Sequence, residues 1–213
     1  YSQPQHLKKL SMAPTGIKDD LLEMIELETE LKRQGHDAHI MAKLNSLSEP
    51  EIIEALYKAS KAGVKIDLNV RGICTLRPGV KKLSENIRVI SIVDRFLEHS
   101  RIIYFAHGAS PKVYISSADW MPRNLNRRIE LLVPVEESEH IEALTQFLIC
   151  YFNDTAKAWE LQDDGRYIRI REAHKATKLL QSQRELQLRA EAELEEFKQN
   201  QSILFEPYRS EDI

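Results

Sequence analysis

Between Arg71 and Glu130 the side chains able to handle phosphate are concentrated. This stretch holds 11 Lys/Arg against 5 Asp/Glu, a balance of +6, in a chain of net charge −3, which leaves −9 elsewhere. A basic island in an acidic chain points to an anionic ligand held at one place rather than to general adhesion. Arg71 and Gly72 close the apolar run VKIDLNVR. A guanidinium makes forked, charge-assisted hydrogen bonds to phosphate oxygens, and the glycine lets the backbone turn tightly. A structural ion pair is the competing reading of Arg71. Arg95, Glu98, His99 and Arg101 follow as a cluster. A neutral imidazole can take a proton or a phosphoryl group near neutral pH, and adjacent cations would stabilise charge developing on the transferred group.

Further on come Ser116-Ser117-Ala118-Asp119, Arg123 and Arg128. Ser117 and Asp119 are read as shaping their loop through side-chain-to-backbone hydrogen bonds. Trp120 and Met121 are read as core. Lys43 and Arg123 are further phosphate candidates, against which stand a strand-edge lysine and an exposed ion pair. Arg77, in a loop before Pro78-Gly79, is weaker. His36 and His39 lack a third ligand at metal-binding spacing.

These residues need a scaffold, and the pattern predicts one. Residues 1–14 read as a polar linker ending at Pro14. Thr15 then caps a helix over 16–34, with Leu21, Leu22, Ile25 and Leu31 as its apolar stripe. A strand is predicted over 38–44, a helix opened by a Ser48/Glu51 capping box and stopped by Gly63, and a strand over 64–71. Strand–helix–strand is the unit of an α/β sheet, whose ligands collect at the carboxyl ends of strands. Strands over 87–93, 101–106, 112–116 and 128–135 follow, the middle pair joined by the hairpin-like HGASP, and then a helix over 139–153. A long charged helix over 172–199 carries a broken apolar stripe of Leu179, Leu180, Leu186, Leu188, Leu194 and Phe197. It reads as an appendage packed on its own domain or a neighbour, a coiled-coil seam being disfavoured by the unsustained heptad. The fold class is α/β, a mixed sheet of five to seven strands flanked by helices, with a long C-terminal helix.

With 213 residues, 42% of them hydrophobic, the chain suffices for one sizeable core. Its overall charge argues against bulk nucleic-acid binding. No apolar run reaches the roughly 18–20 residues of a membrane span, and the N-terminus lacks the apolar segment of a signal peptide. Two distant cysteines, Cys74 and Cys150, suit a reducing, cytoplasmic location, with any membrane association peripheral. The first residue is Tyr, which reads as a piece of a longer polypeptide.

His99-x-Arg101 on one strand, followed by Ser116-Ser117-Ala118-Asp119 ending the next, resembles the phospholipase D superfamily. Its usual form is His-x-Lys-x4-Asp and then Gly-Ser-x-Asn. Here Arg101 replaces the Lys and Ala106 the Asp, and the motif occurs once, so the chain looks like half of a two-histidine site. KLNSL (43–47), LYKASKAGV (56–64), NVRGICTLRPG (69–79), NIRVISIVDRFLEHSRIIYF (86–105), VYISSADWMPRNL (113–125) and RIELLVPV (128–135) resemble the C-terminal domain of bacterial polyphosphate kinases, from about Ser11 to Arg169.

That resemblance implies reversible transfer of the ATP γ-phosphoryl group to inorganic polyphosphate through a phosphohistidine, with Mg²⁺. It implies that Arg71, His99 and Arg128 contact ATP or polyphosphate phosphates, His99 also as acid/base. The phosphorylated histidine and the magnesium-binding arginines belong to preceding domains, so no metal residue is assigned. The chain alone is expected to lack turnover, and a homo-oligomer is expected of the complete polypeptide. The division expected is linker 1–14, phospholipase D-like catalytic domain 15–170 and helical extension 171–213. Two alternatives stay open: a phospholipase D-type phosphodiesterase or nuclease completed by dimerisation, and a non-catalytic assembly module whose long helix docks a partner.

Overall fold

A computed structural model describes residues 9–173 and 179–202. Its elements in chain order are β1 (Ser11–Ala13), α1 (Ile17–Arg33), β2 (His39–Leu44), α2 (Pro50–Lys61), β3 (Lys65–Val70), β4 (Ile87–Ile92) and β5 (Ile102–Phe105). They continue with β6 (Lys112–Ser116), α3 (Pro122–Asn126), β7 (Glu130–Val135), α4 (Ser138–Phe152), β8 (Ala158–Leu161), β9 (Tyr167–Arg169), α5 (Ile170–Ala173) and α6 (Ser182–Ser202). The strands form one mixed sheet ordered β1-β7-β6-β5-β2-β3-β4-β8-β9. The central β2, β3 and β4 are parallel, and all other pairings are antiparallel.

Both faces of the central strands are covered, which is why β2 and β3 are almost wholly buried. Alternate residues divide between two cores. Ile40, Ala42 and Leu44 of β2 and Ile66, Leu68 and Val70 of β3 pack with Ile17, Leu21 and Ile25 of α1 and Ile52 and Leu56 of α2. On the opposite face Met41, Ile90, Ile92, Ile102 and Val113 pack with Leu148, Tyr151 and Phe152 of α4 and with Leu186 of α6. No helix among the described residues is long and apolar enough to cross a membrane.

The structure revises several expectations. The sheet has nine strands rather than five to seven, because the edge strands β1 and β9 and the penultimate β8 have only three or four residues, too short to show a period. Ser11–Ala13, inside the stretch read as a linker, pairs with β7. Gly16 rather than Thr15 precedes the first turn of α1. No Ser48 capping box forms: Glu49 is the N-cap of α2 and Pro50 its first residue, while the Ser48 amide bonds the Trp120 carbonyl. Strand β7 starts at Glu130, not Arg128, because the Arg127 and Arg128 amides close back onto the Arg123 carbonyl.

The helix predicted over 172–199 also differs. Its residues 174–178 lie outside the described residues, and α6 begins only at Ser182. Leu179–Gln181 are not helical: the Leu180 carbonyl accepts from the Thr155 and Ala156 amides, and its own amide donates to Thr155 Oγ1. Backbone groups engaged by a neighbouring loop are not free for a helix.

Candidate phosphate-binding site

Arg71 follows β3, His99 and Arg101 precede β5, the Ser116–Asp119 segment follows β6, and Arg128 precedes β7. The pairings Lys43↔Ile102, Lys43↔Asn69 and Ser116↔Leu132 put all of them at one end of the sheet, the carboxyl end of β2 and β3. The topology therefore gathers the sequence-predicted residues where ligands of α/β sheets collect. Four strand spacings separate β3 from β7, so Arg71 and Arg128 flank a strip about 19 Å wide.

Arg71 is half-buried, and its Nε and Nη2 both donate to Asn45 Oδ1, at 3.2 and 3.1 Å. Among the described residues no carboxylate lies within ion-pair distance of it, so the structural ion pair is not what holds Arg71. A neutral amide orients the guanidinium and leaves its charge uncompensated. Gly72 is required by close approach rather than by its backbone angles: its amide donates to the Asn45 carbonyl at 2.7 Å, and a Cβ there would stand 2.9 Å from that oxygen. Gly72→Ala is therefore expected to destabilise the chain by about 1–3 kcal/mol. It should also displace Arg71 from Asn45, to be read by urea unfolding and by the Asn45 side-chain amide resonances. Parental stability with unshifted resonances would refute this.

Lys43, a further phosphate candidate whose competing reading is a strand-edge lysine, is a fully buried residue of a central strand. Its Nζ stands 3.3 Å from Glu98 Oε2 and 3.3 Å from the Ser100 carbonyl, over the ring of Tyr151 at 5.3 Å. Burial lowers its pKa from the ordinary lysine value, Glu98 opposes the shift, and the charges of Arg71 and Arg101 add to it. Three cations thus share one neighbourhood with two carboxylates, Glu98 and Asp119.

Asp119 is the fastener of this end. Its Oδ1 accepts from the Asn45 and Ser46 amides at 2.7 and 3.1 Å, and Arg101 Nη2 donates to Oδ2 at 2.9 Å. Burial pushes its carboxyl up, but Arg101 and the two amides outweigh burial and hold it below the usual carboxylate range. Arg101 is consequently neutralised and largely buried. Its Nη1 reaches exposed His99, 3.4 Å from Nδ1 and 3.3 Å from the carbonyl. Arginine can only donate, so in this contact Nδ1 is the acceptor, and a neutral ring making it carries its proton on Nε2.

Arg128 is half-exposed, with Nη1 a loose 4.0 Å from Glu130. Glu130 is buried and accepts from Asn124 Nδ2 at 2.7 Å and from Ser117 Oγ. Arg123 is exposed on α3, Arg95 lies over the Phe96 ring, and Arg77 is spent on the Asp163 carbonyl. Trp120 is wholly buried. His39 pairs with Asp67 at the other end of β2. Cys74 and Cys150 are free, and burial pushes the Cys74 thiol up to about 11, too high for a thiolate nucleophile at neutral pH. Among the described residues no group of three or more His, Cys, Asp or Glu could hold a metal ion. Asn45 is the important residue that the sequence reading missed: an uncharged side chain one position past a strand carries no local signal.

The family model "Polyphosphate kinase C-terminal domain 2" matches residues 10–183. A polyphosphate kinase of Rhodopirellula baltica is 55% identical over 170 residues, covering 80% of this chain and 20% of the relative. One of Pseudomonas aeruginosa is 54% identical over 164 residues, covering 77% of this chain and 24% of the relative. The chain thus spans about a fifth to a quarter of the length of these curated relatives. Among solved structures, polyphosphate kinase from Porphyromonas gingivalis superposes with a TM-score of 0.85 at 35% identity, over 91% of this chain and 30% of that one. The phospholipase D family member Nuc from Salmonella typhimurium superposes with a TM-score of 0.52 at 15% identity, over 76% of this chain and 97% of that one, a likeness of fold alone.

Proposed function

The chain belongs to the polyphosphate kinase family as its C-terminal domain with a phospholipase D-like fold, and from that premise we propose that it supplies the phosphate contacts for reversible transfer of the ATP γ-phosphoryl group to inorganic polyphosphate. The observation that carries this reading is Arg71, a half-buried guanidinium at the carboxyl end of a central strand, aimed by Asn45 and neutralised by no carboxylate among the described residues. An oriented, unpaired cation is matched to an anion that arrives from outside.

In this reading Arg71 binds nucleotide phosphate and Arg128 engages polyphosphate farther along the strip. His99 presents its Nε2–H to a phosphoryl oxygen or exchanges that proton. Transfer of a phosphoryl group asks mainly for positioning and for neutralisation of equatorial charge. Oriented arginines serve both without reorganising during the step. The phosphorylated histidine is assigned to a preceding domain, and residues 15–170 to the catalytic half contributed here. The carboxylates at this end are bonded to Arg101, Asn124, Lys43 and backbone amides, so these residues do not fit a magnesium ion of their own. The ion is assigned to the rest of the polypeptide. A cytoplasmic location and a homo-oligomer complete the reading.

Calorimetric titration of Mg-ATP and of a medium-length polyphosphate into the chain tests it. Binding should weaken as salt rises and fall at least about tenfold in Arg71→Ala/His99→Ala. Equal binding by parent and double variant would reject the assignment.

A further inference from the structure

The loop that carries His99, between β4 and β5, has no regular structure, and Val93, Phe96 and Leu97 are exposed on it. Such a segment needs ties from elsewhere to hold a side chain in one geometry. The strongest comes from the far end of the chain. Gln183, in the first turn of α6 and buried, accepts from the Phe96 amide at 2.8 Å. It donates through Nε2 to the Phe96 carbonyl at 2.9 Å and to Glu98 Oε1 at 2.8 Å. One side-chain amide thus answers both backbone groups of Phe96, as a neighbouring strand would. The requirement that its oxygen face the Phe96 N–H fixes which way the amide points.

Gln183 is itself anchored. Ser182 amide and Oγ both donate to Asp154 Oδ2, at 2.8 and 2.7 Å, and Asp154 Oδ1 accepts from the Ala156, Lys157 and Ala158 amides between α4 and the start of β8. Gln181 adds a bond to Asp94 at 2.7 Å. On the inner side Glu98 meets buried Lys43, which also bonds the Ser100 carbonyl. Residues 96, 98 and 100 are therefore clamped between the C-terminal segment and the central strand, with His99 outward.

We propose that Gln183 is a positioning residue for His99: the start of α6 holds the histidine loop in its working geometry through Phe96 and Glu98 rather than through the His99 ring. This rests on the role proposed above for His99. In the complete polypeptide, Gln183→Met keeps the side chain's length and removes its hydrogen bonds, and Gln183→Ala removes both. Arg184→Ala, exposed on the next position of the helix, is the control. Exchange of the Phe96 amide should quicken about tenfold in both Gln183 variants while amides of α2 keep their protection. Turnover should fall about tenfold, with the nucleotide KM within about threefold. Gln183→Met/His99→Ala should be no slower than His99→Ala alone. Unchanged Phe96 exchange would overturn the tether whatever His99 does. Parental turnover in both Gln183 variants, or a loss that adds in full to that of His99→Ala, would overturn the positioning role. If His99→Ala keeps parental turnover, the reading of the site fails and this role fails with it, even where exchange responds.

Discussion

In the complete polypeptide, His99→Ala is expected to lower kcat about 10²–10⁴-fold, the range for loss of a positioned proton donor or acceptor. Among the described residues the exposed ring is bonded only through Arg101 Nη1 at 3.4 Å, so stability should move by no more than about 0.5 kcal/mol. The nucleotide KM should change little if His99 acts mainly in the transition state, whereas Arg71→Ala should raise it. His99→Gln keeps an N–H donor and should retain part of the rate if donation matters more than proton transfer. Steady-state synthesis and the reverse reaction, assayed side by side, must fall together. Turnover of His99→Ala within threefold of the parent would end the assignment.

Asp119→Ala is the second large effect, and it falls on stability. Removing the carboxylate strands a guanidinium whose side chain is only 11% exposed, together with the Asn45 and Ser46 amides. Breaking a buried pair by deleting one partner costs about 3–5 kcal/mol, and that is the expected loss in urea unfolding. Asp119→Asn should lose less, since an amide oxygen can still accept from the backbone. The pH dependence has a definite sign. The Asp119 carboxyl is held below its ordinary value in the folded chain, so its contribution is present above the unfolded pKa of about 4 and is lost as pH falls through the lower folded value. The gap between parent and Asp119→Asn should therefore close in acid. A gap independent of pH between 2 and 6 would show that the charge is not the source. Because Arg101 also touches His99, the same variant should depress turnover beyond its effect on folding.

The helix–strand alternation, the hairpin of β5 and β6 and the position of Arg71 at a strand end were legible because each is written in a run of neighbouring residues. Period, turn residues and β-branched content suffice for β2 to β7. They failed for β1, β8 and β9, where three or four residues are held by pairing rather than by pattern. They failed again at Ser48, whose local capping motif lost to a bond with the Trp120 carbonyl 72 positions away.

For the site, the residue types and their order along the chain, with the family resemblance they carry, were determined by sequence alone. Which cation is free was decided only by the tertiary structure. Arg101 is neutralised by Asp119, Lys43 is buried against Glu98, and Arg71 rests on a neutral amide. Nothing local distinguishes these three basic residues. A charge is satisfied by whatever the fold brings within about 4 Å, here partners 18, 55 and 26 positions distant. The same holds for Gln183, an ordinary polar residue until packing sets it against Phe96.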